Sequence, residues 1–181
     1  MGRIRRIKTG DIMSILFVCR GAPGSGKSTL AKKIYNGYIK NGFTAIICST
    51  DDFFMVDGEY KFDFTKLGHN HKQNFLKAND AIINNIKAVI IDNTNTTTKE
   101  VKPYVEVAIE ADYIVTFIEP ETEWAFDLDE LVKRNTHNVP RESIQKMLDR
   151  WEETDIMVEK LAEELGCDYD LVSMSLFKES E

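Results

Sequence analysis

The apolar run Ile15-Leu16-Phe17-Val18-Cys19 is followed, one residue later, by Gly21-Ala22-Pro23-Gly24-Ser25-Gly26-Lys27-Ser28. This junction constrains the fold more than any other stretch. A continuous apolar run suits a strand buried on both faces, as in a parallel sheet. The octet fills the pattern G-x-x-x-x-G-K-[ST] between that strand and a helix, the context the pattern requires. Leu30, Ala31, Ile34, Tyr35 and Tyr38 recur at helical spacing from Lys27 to about Lys40, and Asn41-Gly42 closes the helix. Glycines let the backbone curl so that successive N–H groups converge on a phosphate, and the helix N-terminus adds partial positive charge. Gly21 through Thr29 therefore read as the cradle of a nucleoside triphosphate, ATP by expectation. Lys27 reaches the β- and γ-phosphates and the Ser28 hydroxyl ligates Mg²⁺.

Further apolar runs at 44–48, 88–91 and 113–118 read as strands, and Tyr169 to Leu176 as a last one. Helices are expected over about 69–86, 98–111, 122–134, 141–153 and 155–165. Pro103 is tolerable near a helix start. Strands alternating with helices give an α/β fold with a parallel sheet. The expected organisation is a flexible basic N-terminus (1–12), a body (13–153) with a lid near 130–145, and an acidic extension (154–181) packed on or trailing the same domain.

The 181 residues carry 23 Lys+Arg against 30 Asp+Glu, for a net charge of −7. Residues 1–12 hold +3 and residues 151–181 hold −8, which leaves the body near −2. This balance argues against extended duplex binding. No run reaches the roughly 18 apolar residues of a membrane span, and the basic start lacks the apolar core of a secretory signal. Cys19, Cys48 and Cys167 have no metal-site or disulfide-scaffold spacing. Reduced core cysteines, and a cytoplasmic setting, are the expectation.

Three acidic positions fall where ligands bind in open α/β sheets, at carboxyl strand ends. Asp92 ends the third run and is placed to hold Mg²⁺ through water, with a turn-capping role as the alternative. Asn93, Thr94 and Asn95 follow it, placed either to contact water on the Mg²⁺ or to hold neighbouring loops. Asp51-Asp52 follow the second run, and one of them can orient and deprotonate a hydroxyl acceptor, or else cap a turn. Phe53, Phe54, Tyr60, Phe62 and Phe64 crowd the next segment, where packing onto the sheet is favoured over stacking an acceptor base. His69 and His71, two apart on a helix, make a poor metal pair. His137, in the lid, reads as a solvated loop residue in preference to one touching phosphate, and Trp151 as packing between the last helices.

Gly21–Thr29 (GAPGSGKST), Ser49–Asp52 (STDD), Ile90–Asn95 (IIDNTN) and Leu131–Asn135 (LVKRN) occur in this order. Together they resemble the P-loop kinase domain of phage-type polynucleotide 5′-kinases. With Asp51–Phe54, Lys102–Tyr104 and Asn135–His137 added, the resemblance is closer to the ATPase module of the NEDD-four-binding-protein-two-like family, over roughly residues 14–153. It implies a P-loop NTPase fold with strand order 2-3-1-4-5 and a helical lid. It also implies Asp51 as general base, with Asp52 in support, and Arg134 as the lid arginine on the transferring phosphoryl. The arginine that follows the acidic pair in phage-type kinases is replaced here by Phe53, and the second lid arginine by Asn138. Arg141 or Lys133 is then left to contact the acceptor. Three functions are expected in order: phosphoryl transfer to a nucleic-acid 5′-OH, transfer to a small-molecule hydroxyl (nucleoside, sugar or antibiotic), or an ATP-binding regulatory module serving a protein partner.

Overall fold

The computed structural model describes residues 13–167 and 172–174. The basic stretch 1–12 and the end of the acidic tail, 175–181, lie outside the described residues. So does part of the expected last strand.

Five parallel strands, β1 (Ile15–Cys19), β2 (Ala45–Cys48), β5 (Ala88–Asp92), β6 (Ile114–Ile118) and β7 (Val172–Met174), form one sheet in the order β2-β5-β1-β6-β7. Counted by sheet strand alone, this is the expected 2-3-1-4-5. Strands β3 (Met55–Val56) and β4 (Glu59–Tyr60) make a separate antiparallel hairpin. The helices are α1 (Lys27–Lys40), α2 (Leu67–Ile83), α3 (Thr98–Glu110), α4 (Leu128–Arg134), α5 (Arg141–Asp149) and α6 (Thr154–Leu165).

The apolar runs are continuous because both sheet faces are covered. Phe17, Cys19, Ala88, Ile90 and Ile118 pack with Ala31 and Ile34 of α1 on one face. Leu16, Val18, Val89, Ile91, Val115 and Phe117 meet α2, α3 and α6 on the other. Helix α6 contributes Met157, Val158 and Leu161, each at most 3% exposed. Burial pushes the Cys48 thiol up to about 12 and raises that of Cys19 as well, so both remain protonated core residues. Among the described residues no helix is long and apolar enough to cross a membrane.

Two helices are shorter than their patterns suggest. The 122–134 segment is helical from Leu128 alone. Asp127 caps α4 by accepting from the N–H groups of Asp129 and Glu130. Before it, Thr122 Oγ1 donates to the Ser25 carbonyl (3.0 Å) and Trp124 Nε1 to the Gly24 carbonyl (3.2 Å). The 141–153 segment stops at Asp149, because Glu152 turns away to cap α3, accepting from Thr98 N at 2.8 Å. Trp151, in the link between α5 and α6, packs against the Arg20 guanidinium (4.2 Å) and Phe126 (5.2 Å).

Candidate functional site

The loop after β1 is shaped by backbone that favours glycine. Gly24 and Gly26 have φ of +86° and +103°. Gly21 N–H donates to the Thr94 carbonyl (3.1 Å), tying the loop to the segment after β5. Gly26 precedes α1 without a side-chain cap, and no acidic residue lies in the first turn. The Thr29 and Leu30 N–H groups turn back to the Gly26 carbonyl (3.0 and 3.2 Å), so those of Lys27 and Ser28 ahead of them are the ones placed to meet an anion. Ala22 is buried against Leu131 and Ile144, while Pro23 and Lys27 are half-buried. Ser28 and Thr29 are exposed on the opening turn of α1.

The sheet register places Asp92 directly beside Cys19, one residue short of the loop, and Cys48 beside Ile91. The carboxyl ends of β1, β5 and β2 are thus adjacent. Ser49 Oγ donates to the Asp92 carbonyl (3.1 Å), and Asn93 Oδ1 accepts from Thr50 N (3.0 Å). Asn95, left-handed at φ +49°, donates through Nδ2 to the Cys19 carbonyl (2.7 Å). Asn93, Thr94 and Asn95 therefore join three strand ends. Asp92 is 7% exposed, and its Oδ1 is buried with no hydrogen-bond partner among the described residues. A buried carboxylate oxygen left open at the strand end next to the β1 end that leads into the loop fits an ion that keeps most of its water shell, as Mg²⁺ does. A dedicated cluster of His, Cys, Asp or Glu ligands is absent among the described residues.

Asp51 lies on a short 3₁₀ turn, Thr50–Phe54, directly after β2. Tyr60 Oη donates to its Oδ1 (3.0 Å), and His137 Nδ1 stands 3.5 Å from its Oδ2. Desolvation raises the Tyr60 hydroxyl pKa, with the Asp51 charge adding to it, so Tyr60 keeps the proton it donates. His137 is therefore not the solvated loop residue expected from the sequence. Asp52 points elsewhere and pairs with Lys77 (3.1 Å). Phe53 is half-buried and its carbonyl accepts from Asn70 Nδ2. Of the aromatic cluster, Phe54 is buried against Tyr60 and Phe62, as packing requires, whereas Phe62 and Phe64 are 55% and 78% exposed.

Helix α4 lies on the phosphate loop. Leu131, with no exposed surface, packs with Ala22 and Ile144. A Cβ on Gly24 would stand 2.4 Å from the Leu131 carbonyl oxygen. Arg134 pairs with Glu130 (2.8 Å) and lies 3.9 Å over the Trp124 ring. Lys133 also pairs with Glu130. Asn138 is exposed at φ +53°, a turn position. Arg141 pairs with Asp129 (2.6 Å) on the exposed side of α4 and α5. The structure thus gathers the loop, Asp92 and Asp51 at the carboxyl ends of adjacent strands, and directs Asp52 and Arg141 to other contacts.

The AAA_33 family model, described as an AAA domain, matches residues 16–154. The chain belongs to this family. It is 40% identical over 152 residues to human NEDD4-binding protein 2, covering 84% of this chain and 8% of that protein. It superposes on a chain of the Pnkp1/Rnl/Hen1 RNA repair complex with a TM-score of 0.57 at 21% identity, covering 84% of this chain and 47% of that one. Kti12 of Chaetomium thermophilum, solved with ADP-AlF3, gives a TM-score of 0.55 at 17% identity, over 92% and 91% of the two chains. The fold is that of the P-loop kinases.

One residue of this family member escapes every motif. Arg20, between β1 and the glycine loop, has no exposed surface. Its guanidinium donates to the Asn95 carbonyl (2.9 Å), Glu119 (2.8 Å), Thr154 Oγ1 and the Glu152 carbonyl, beneath the Trp151 ring. Burial pulls its pKa below the ordinary arginine value, and the Glu119 charge opposes that shift. Its partners are up to 134 residues away in sequence, so spacing carries no trace of them.

Proposed function

We propose that this domain binds ATP and transfers its γ-phosphoryl group to a hydroxyl acceptor, a polynucleotide 5′-OH in the leading form of the reading. The observation that carries it is the convergence of the glycine loop, Asp92 and Asp51 on the adjacent carboxyl ends of β1, β5 and β2. Residues Gly21–Thr29 hold the phosphates, with Lys27 against the β- and γ-groups. Ser28 and Asp92 would hold a magnesium ion, which when bound neutralises phosphate charge. Asp51 takes the acceptor proton as the new O–P bond forms and the bond to the β-phosphate oxygen breaks, leaving ADP. Arg134 serves the transferring group once it leaves Glu130, its planar fork matching phosphoryl oxygens. The likeness to a chain of an RNA repair complex and to a protein solved with ADP-AlF3 supports nucleotide chemistry on this fold.

A second reading, an ATP-binding module without an acceptor, draws on the ties of Arg134 to Glu130 and Trp124. The test is transfer of labelled γ-phosphate to 5′-OH DNA, 5′-OH RNA and a small-molecule panel by wild type, Lys27→Ala and Asp51→Asn. Lys27→Ala should weaken ATP binding about tenfold or more. Asp51→Asn should bind ATP as wild type does and lose transfer by about 10² or more. Undiminished transfer by Asp51→Asn rules out the base assignment. ATP turnover without any labelled acceptor favours the second reading.

A further inference from the structure

The two oxygens of Asp51 have different surroundings. Oδ1 accepts the Tyr60 hydroxyl at 3.0 Å, from the β3–β4 hairpin. Oδ2 faces His137 Nδ1 at 3.5 Å, from the loop after α4. That nitrogen is buried and makes no hydrogen bond among the described residues, whereas buried polar atoms ordinarily have a partner. The Tyr60 and His137 rings stand edge to face, 4.3 Å between centroids, and Phe54 supports Tyr60 from behind at 6.0 Å. The His137 loop is itself fixed, because Asn135 Oδ1 accepts from the N–H groups of His137 and Val139 (both 3.1 Å) and its Nδ2 donates to the Val139 carbonyl. Asn135 adjoins the phosphate loop, its backbone nitrogen 3.0 Å from where a Gly24 Cβ would stand.

We infer that Tyr60 and His137 are positioning residues for Asp51: Tyr60 anchors Oδ1, and His137 holds Oδ2 toward the incoming hydroxyl as the oxygen that receives its proton. The inference rests on the phosphoryl-transfer reading above and deepens it. A carboxylate free to rotate offers either oxygen in many orientations. One pinned at Oδ1 and walled at Oδ2 presents a single lone-pair direction, and small misplacements of a reacting group are costly. His137 also links the two substrates, since its loop is built on the helix that contacts Gly24.

The test compares wild type with Tyr60→Phe, His137→Ala, His137→Asn and the Tyr60→Phe/His137→Ala pair, measuring labelled transfer to an acceptor and phosphate release to water. Tyr60→Phe and His137→Ala should each lower kcat for transfer roughly tenfold with the KM for ATP unchanged. His137→Asn, whose amide can stand near the place of Nδ1, should recover most of the loss. The double variant should lose less than the product of the single losses, because both act through one carboxylate. Undiminished kcat in His137→Ala, or a rise in ATP KM that accounts for the loss, overturns the inference. Should wild type label no acceptor, the phosphoryl-acceptor reading fails, and the same variants are read on phosphate release. A parallel fall there with recovery in His137→Asn upholds the positioning role with water as the hydroxyl, and unaltered release overturns it.

Discussion

Gly24 lies in the left-handed region at φ +86°, and the space a side chain would need is taken by the backbone of another element. A methyl group there would stand 2.4 Å from the Leu131 carbonyl oxygen and 3.0 Å from Asn135 N. Neither neighbour is a flexible side-chain end, so α4 itself must move. The motif does not require this glycine, since its inner positions are unspecified, and the constraint comes from helix α4. Gly24→Ala should therefore cost about 1–3 kcal/mol in urea unfolding, from backbone strain together with the displaced helix. It should also weaken ATP binding. Unchanged stability would mean that α4 does not rest on the loop. Burial alone accounts for Cys19 and Cys48. Both are fully buried beside the strand ends, which matches their reading as core residues.

Helix α4 has seven residues, too few to be stable through its own hydrogen bonds. What holds it is Leu131 in the contact with Ala22 and Ile144, and the Asp127 cap. Asp127→Ala should cost about 1 kcal/mol in thermal or urea unfolding. It should loosen Arg134 and His137, seen as lower transfer with little change in overall helicity. The sequence overextends this helix for a physical reason. Residues 122–127 carry nothing that forbids a helix, and the bonds that turn them away, from Thr122 and Trp124 to loop carbonyls, join positions about 100 apart. The four long strands are legible because both of their faces are apolar, a pattern independent of partners. The same distinction divides the site. Lys27, Ser28, Asp51 and Asp92 are marked by what precedes them in the chain. Tyr60, His137 and Arg20 gain their surroundings through contacts the chain makes elsewhere.

At the scale of the molecule, Arg20 is the point where separate parts are joined. It touches the segment after β5 through Asn95, the end of β6 through Glu119, and the start of α6 through Thr154 and Glu152. Helix α6 in turn buries Met157, Val158 and Leu161 in the larger core. The acidity of residues 151–181 therefore sits partly on an element of the core, whose outer side carries the charge. Removing the guanidinium leaves the carbonyls without this donor, and the one-third-exposed Glu119 with the Thr154 hydroxyl but no cation, in a space that water reaches poorly. The loss is greater than the net worth of the pair, because unpaired buried groups keep their desolvation cost. Arg20→Met should lower unfolding stability by about 3–5 kcal/mol. Arg20→Lys should recover little, since a single ammonium cannot reach partners spread around a planar fork. Urea unfolding followed by circular dichroism measures both. A loss below about 1 kcal/mol in Arg20→Met would place the junction of α6 with the sheet in the apolar contacts of Met157, Val158 and Leu161 alone.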